Sequence, residues 1–312
     1  MHDRIVAMAS LETQRTTATT ALVTSAVIWG FAFVAQRAGM RYIGPFTFNG
    51  IRFALGSLIL VPLYVGFRRH GVPLDAPARK LHVWTAMGLA GVVLFVSANL
   101  QQTGLVYTTA GKAGFITGLY VVIVPLLGLF RRHRVGVFVW IGCAFAVIGL
   151  YLLSVMGAFS IALGDALVLG SALGWAIHVH IVGWLAQRAR TLFVAILQFG
   201  ICALLSFGVA IVREPILLAS ILEAGWMIAY AGILSVGVAY TLQVIGQRNV
   251  DPARASIILS SEAVFAVLGG WIVLGETLSS RGLIGCALML GGMILAQIRP
   301  REPRQGSHGL GS

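Results

Sequence analysis

The sequence predicts an all-α integral membrane protein: ten transmembrane helices, arranged as two inverted five-helix repeats around a central cavity. Three observations predict it. The first is composition. Of 312 residues, 58% are hydrophobic and only 10% are charged, and the mean hydropathy is +0.91. Soluble domains are about one-quarter charged, so this much apolar surface needs lipid to cover it. The second is spacing. Apolar stretches of about 20 residues, the length that crosses a bilayer as a helix, recur ten times between residues 20 and 298. The third is an internal repeat, the feature to seek before any other. Shifted by 143 positions, Ile141-Gly142-Cys143-Ala144 falls on Ile284-Gly285-Cys286-Ala287. Under the same shift Ala110 meets Ala253, Val121 meets Val264 and Gly149 meets Gly292. Upstream, Trp29 and Phe53 fall on Trp175 and Phe199 at an offset of 146, and Ala90-Gly91 on Ala231-Gly232 at 141.

A polar segment, residues 1–19, precedes the first span. It has no compact apolar core with a cleavage site, so it is not expected to be a secretory signal. The first repeat, 20–154, holds spans at 20–38, 46–67, 83–102, 110–130 and 135–154. The second, 164–298, holds spans at 164–185, 192–212, 224–246, 254–274 and 281–298. The tail, 299–312, is basic and then rich in Gly and Ser. Links are short, and the longest internal one, Arg68 to His82, carries Pro73 and Pro77.

Basic residues alternate with the loops. One side holds 16, from Arg4 and Arg15 through the Arg131–Arg134 turn to Arg304; the other holds Arg37, Arg41, Arg213 and Arg281. Lys112 and Arg52 fall inside spans. Lys and Arg concentrate on the cytoplasmic side, which predicts both termini in the cytoplasm. Five spans per copy is an odd number, so the second copy enters from the opposite side. Inverted repeats are a mark of secondary transporters, with the binding site near the midplane between the repeats. The net charge of +12 is thus a topology signal, and no nucleic-acid partner is expected. Cys143, Cys202 and Cys286 each sit in an apolar run, which offers no disulfide framework and no metal spacing. No cofactor and no catalytic residue are expected: the sequence has no His-Glu-x-x-His, phosphate-binding glycine loop or Gly-x-Ser-x-Gly.

Polar groups inside a membrane are costly and tend to face a cavity or a partner. Asn99 and Gln102 share a face of the third span, and Tyr240 and Gln243 share a face of the eighth. The repeat makes these pairs counterparts. They read as cavity lining, against interhelical hydrogen bonding as the alternative. Trp29 with Phe33, and Trp175 with His178, recur in the same way, and Phe115 joins this set. Glu262 lies about a third of the way into the ninth span and is the candidate for carrying a proton. Arg52 could attract a substrate carboxylate or snorkel outward. Gly111, Gly114, Gly118 and Pro125 make the fourth span a candidate bendable gate, because glycine and proline permit close packing and bending.

Several segments carry a resemblance. They are Ile28-Trp29-Gly30, Ser171-Ala172-Leu173-Gly174-Trp175, Ser260-Ser261-Glu262-Ala263-Val264-Phe265, and Leu274-Gly275-Glu276-Thr277-Leu278 followed by Gly285. Together they resemble the drug/metabolite transporter superfamily in its EamA-type ten-helix branch, and within it the amino-acid exporters. Glu262-Ala263 departs from the Glu-Pro common in that family, so no proline kink is expected there. The resemblance implies that spans 1–4 and 6–9 surround the cavity. Spans 5 and 10 then lie at the periphery, where they could form a homodimer contact. The expected lining is aromatic and amide in character, with few fixed charges. That suits a neutral, hydrophobic or aromatic amino acid, since buried amides serve both ammonium and carboxylate and aromatic faces attract an ammonium. The outward direction is implied by the resemblance alone. Export of drugs or of metabolites such as sugars is the alternative, and a non-transporting receptor a further one.

Overall fold

A computed structural model describes residues 2–66, 77–107, 110–130, 135–154, 163–274 and 279–297, and among them every regular element is helical. The first elements are α1 (His2–Gly39), α2 (Pro45–Gly66), α3 (Pro77–Tyr107), α4 (Ala110–Gly118), α5 (Tyr120–Phe130) and α6 (Val137–Ser154). The second half holds α7 (Leu163–Ala186), α8 (Thr191–Arg213), α9 (Leu218–Glu223), α10 (Gly225–Ala229), a π-helical stretch Tyr230–Tyr240 and α11 (Thr241–Gly246). Then come α12 (Pro252–Ser260), α13 (Glu262–Leu274) and α14 (Ser280–Gln297). Among the described residues, seven helical segments are long and apolar enough to cross a membrane, and three shorter apolar ones run Ile116–Leu129, Val137–Gly149 and Ser280–Ala296.

Helix boundaries exceed the predicted spans where polar residues continue the helix. Thus α1 starts at His2, not at residue 20, and α3 runs from Pro77 to Tyr107, not 83–102. Hydropathy marks only the stretch suited to lipid. Thr17 and Thr20 donate their hydroxyls to the carbonyls of Thr13 and Thr16, each at 2.9 Å, so these polar side chains are satisfied within the helix.

Two predicted single spans are each interrupted at one residue, with a helical segment running on through both points. Between α4 and α5, Leu119 N–H bonds to Ile116 C=O at 3.2 Å, a tight three-residue step. Between α12 and α13, Ser261 N–H bonds to Ile258 C=O, also at 3.2 Å. The first break follows Gly118. At the second, the hydroxyls of Ser260 and Ser261 donate to the carbonyls of Ile257 and Ile258 at 2.9 and 2.6 Å, so side chains draw on acceptors of the helix ladder. Pro125 lies inside α5 and has no N–H to offer the residue four before it. That residue is Val121, whose carbonyl instead accepts from Cys143 Sγ on α6 at 3.3 Å. The π-helical stretch is another departure from α geometry. Its Ser235 and Ala239 carbonyls accept from Trp29 Nε1 at 3.0 Å and Ser25 Oγ at 2.8 Å, which ties it to α1.

Packing sets the elements around a common centre. α3 runs along α7, α2 along α8, and α1 along α13 and the π-helical stretch. α6 and α14 pack against each other through glycines. A Cβ at Gly142 would stand 2.8 Å from the Gly292 carbonyl oxygen, and one at Gly149 would stand 2.5 Å from that of Gly285. Glycine is required where two backbones come this close. At one end of the bundle, Glu214 after α8 accepts from Phe46 N–H at 2.9 Å and from Thr47 N–H and Oγ1 at 2.7 Å. It thereby caps α2, whose first N–H groups lack partners within the helix. The outer faces are apolar, as Leu58, Leu204, Ile211, Trp226 and Ile294 illustrate. Such a surface suits hydrocarbon.

Candidate functional site

A narrow cavity lies where α1, α2, α3, α7 and the two broken helices meet. Its volume of about 50 Å³ has room for only about four waters. Helical spacing explains most of the lining. On α1, Trp29, Phe33 and Gln36 form one stripe, and on α7 so do Trp175 and Val179. The π-helical stretch and α11 supply Ser235, Tyr240 and Gln243. The second break supplies Leu259 and Glu262 one turn apart, and the first supplies Thr117 and Tyr120. Arg52 enters from α2 and Gln101 from α3.

The aromatic wall is contiguous. Trp29 meets Tyr240 edge-on at 4.6 Å between centroids, and Trp175 stacks on Tyr240 at 6.1 Å. Phe53 and Phe199 back Tyr240 at 6.1 and 5.6 Å. Trp29 is fixed by its bond to the Ser235 carbonyl. Gln101 Nε2 donates to Thr117 Oγ1 at 3.1 Å. Several lining groups find no hydrogen-bond partner among the described residues: the amide oxygens of Gln36 and Gln243, Trp175 Nε1 and Arg52 Nε. These offer two acceptors and two donors.

Seven residues singled out in the sequence line this cavity: Trp29, Phe33, Arg52, Trp175, Tyr240, Gln243 and Glu262. Three do not. Asn99 is tied into the bundle: it accepts from Asn49 Nδ2 at 2.9 Å, and its own amide donates to Ser206 Oγ at 2.9 Å and to the Phe95 carbonyl at 2.8 Å. Gln102 is turned toward α1, with Nε2 3.4 Å from the Gln36 carbonyl, while its neighbour Gln101 takes the cavity side. His178 stands behind the aromatic wall, paired with Gln198 Oε1 at 2.9 Å and edge-on to Trp175 and Tyr240. The side chain of Phe115 and the surroundings of Gly111 lie outside the described residues. Gly114 faces open space and Gly118 ends α4 at the break, whereas Pro125 lies in α5.

Two of the lining side chains are ionisable, one basic and one acidic. Arg52 is buried and faces the cavity instead of snorkelling outward, and Glu262 shares the lining. Gln36, Val179 and Leu259 could have been found by extending stripes from Phe33, Trp175 and Glu262 by one turn.

The profile of the EamA-like transporter family matches the chain twice, over residues 16–155 and 162–297. An uncharacterized transporter of Archaeoglobus fulgidus is 27% identical, covering 88% of this chain and 83% of that one. The uncharacterized inner membrane transporter YedA of Escherichia coli K12 is 26% identical, covering 87% and 88%. A solved crystal structure superposes with a TM-score of 0.75 over 90% of this chain and 96% of that one, at 21% identity, and so shares the fold. With a family match across both halves of an all-helical, lipid-compatible bundle, the chain belongs to the EamA-like transporter family.

Proposed function

We propose that this protein is a secondary transporter that exports neutral, hydrophobic or aromatic amino acids by alternating access. In this reading ten helices cross the inner membrane as two inverted five-helix repeats, both termini are cytoplasmic, and the cavity lies between the halves. The twofold family match supports the two halves. So does the glycine packing of α6 on α14. The 143-residue shift turns the Gly142–Gly292 contact into Gly285–Gly149, which is the other contact. The helix breaks at Leu119 and Ser261 fall within one residue of the same shift. The skew of Lys and Arg supports the orientation, and the name of the related YedA protein supports the inner membrane. The outward direction rests on family likeness.

The observation that carries the substrate class is the lining itself. Trp29, Trp175 and Tyr240 form an apolar wall beside unpaired amide oxygens, one guanidinium and one carboxyl. A phosphorylated solute would call for clustered basic groups, and among the described residues Arg52 is the one basic side chain in this lining. The cavity is too small here to hold a whole amino acid, so loading requires it to widen. The two breaks, one beside Gly118, are the points at which α4–α5 and α12–α13 can bend. Among the described residues Glu262 is the single acidic side chain in the lining, and it is the candidate to carry a proton in a coupled cycle. Indifference of transport to a pH gradient would rule out proton coupling through Glu262 and make uniport the simpler account.

The test is counterflow. Proteoliposomes preloaded with phenylalanine or leucine are expected to take up the same labelled amino acid saturably and only when the protein is present. Uptake of a sugar or a lipophilic cation, with none across a panel of neutral amino acids, would overturn the reading. Binding without flux would identify a receptor instead.

A further inference from the structure

An arginine and a glutamate stand in the lining of one cavity, and among the described residues neither side chain meets an oppositely charged partner. Arg52 comes from α2 and Glu262 from the first turn of α13. Their exposures are 3% and 8%. Among the described residues no hydrogen bond or ion pair reaches the side chain of either, and Arg52 Nε is buried without a partner. The Arg52 guanidinium rests 4.8 Å from the Phe53 ring centroid and 5.7 Å from that of Phe48. Those faces attract the cation and orient its plane, but they accept none of its N–H groups in the manner of an anion.

A buried, unpaired ion is costly. A ligand that brings the opposite charge to each group offsets that cost when it binds. A ligand carrying one of each sign does so with no net charge taken into the membrane. We propose that Arg52 and Glu262 form a two-point clamp for the zwitterionic head of an α-amino acid. Arg52 donates two parallel N–H bonds to the α-carboxylate, the geometry for which a guanidinium is suited. The α-ammonium donates to the Glu262 carboxylate and to the unpaired amide oxygen of Gln36 or Gln243. The substrate side chain then packs on Trp29, Trp175 and Tyr240. Specificity for the head group follows, because a solute lacking either charge leaves one ion of the protein buried and unpaired.

This inference rests on the amino-acid reading above, and the experiment separates the two. Phenylalanine counterflow into proteoliposomes is competed with 2-phenylethylamine, which lacks the carboxylate, and with 3-phenylpropanoate, which lacks the ammonium. For the wild type, each analogue is expected to inhibit at least about tenfold more weakly than phenylalanine. Arg52→Gln should close the gap between phenylalanine and the amine, and Glu262→Gln the gap between phenylalanine and the acid. Arg52→Lys should retain part of the discrimination. If either analogue inhibits the wild type as well as phenylalanine does, the clamp is wrong although amino-acid transport stands. The wild-type comparison needs no variant, so a misfolded substitution cannot shelter the proposal. Equal closing of both gaps by both substitutions would likewise overturn the clamp. If no neutral amino acid exchanges at all, the clamp falls together with the amino-acid reading.

Discussion

Gly30 is the point at which α1 touches the broken helix beside the cavity, and Gly30→Ala measures how tightly that contact is made. A Cβ there would stand 2.7 Å from both the Ala266 nitrogen and the Glu262 carbonyl oxygen, and would run into Phe265 Cβ. Two of these three atoms are backbone, so no rotamer change relieves the clash, and α1 must move off α13. Replacing glycine with alanine inside a helix favours the helix by about 1 kcal/mol. Overpacking costs about 1–3 kcal/mol, and a backbone obstacle belongs at the upper end. The net expectation is a loss of about 1–2 kcal/mol, which for a chain of this size lowers the midpoint by about 2–8 °C. The assay is thermal unfolding of purified protein in detergent, followed by tryptophan fluorescence. Gly88→Ala on α3 is the control, because nothing lies within 4 Å of its Cβ position. It should be neutral, or stabilising by up to about 1 kcal/mol. A Gly30→Ala protein as stable as the Gly88→Ala protein would refute the close approach.

Three further expectations follow from the geometry. Asn99→Ala should cost about 1–3 kcal/mol of stability, by leaving buried Asn49 and Ser206 short of a partner, while leaving substrate preference unchanged; a shift in preference at wild-type stability would return Asn99 to the cavity. Trp175→Ala should weaken phenylalanine transport relative to alanine by roughly 3- to 10-fold, and an equal loss for both substrates would make Trp175 packing only. In intact cells a single cysteine at Leu217 should react with an impermeant thiol reagent and one at Gln187 should not, both positions being exposed; the reverse pattern would overturn the proposed orientation.

Much of this was legible in the sequence because bilayer length and hydropathy are one-dimensional signals. Most of the described apolar helices overlap predicted spans, whereas α9 falls between two of them, and Trp29, Trp175 and Tyr240, singled out in the sequence, stand together in the cavity wall. What was not legible depended on rotation and on local backbone geometry. Gln101 and Gln102 differ by about 100° around α3, and the repeat pairing of Gln102 with Gln243 pointed to the wrong one. Asn99 shares composition with a cavity residue, but the distinction lies in Asn49 and Ser206, far away in sequence. Arg52 was open to two readings because hydropathy carries no face. The break at Ser261 has no glycine or proline to mark it. It coincides with two adjacent serines whose hydroxyls compete for helix carbonyls, a signal that becomes visible only once partners are known. Gly118 gave the first break a cue that the second lacked.

The cavity lined by Trp29, Arg52, Tyr240 and Glu262 is the proposed path of the solute. Thr117 lines it on the edge of the first break, and Thr117→Cys changes little in volume. In a background lacking Cys143, Cys202 and Cys286, the measurement is phenylalanine counterflow before and after modification of that single thiol. Modification is expected to block counterflow, and saturating phenylalanine to slow the modification. Full transport by the completely modified protein would contradict the claim.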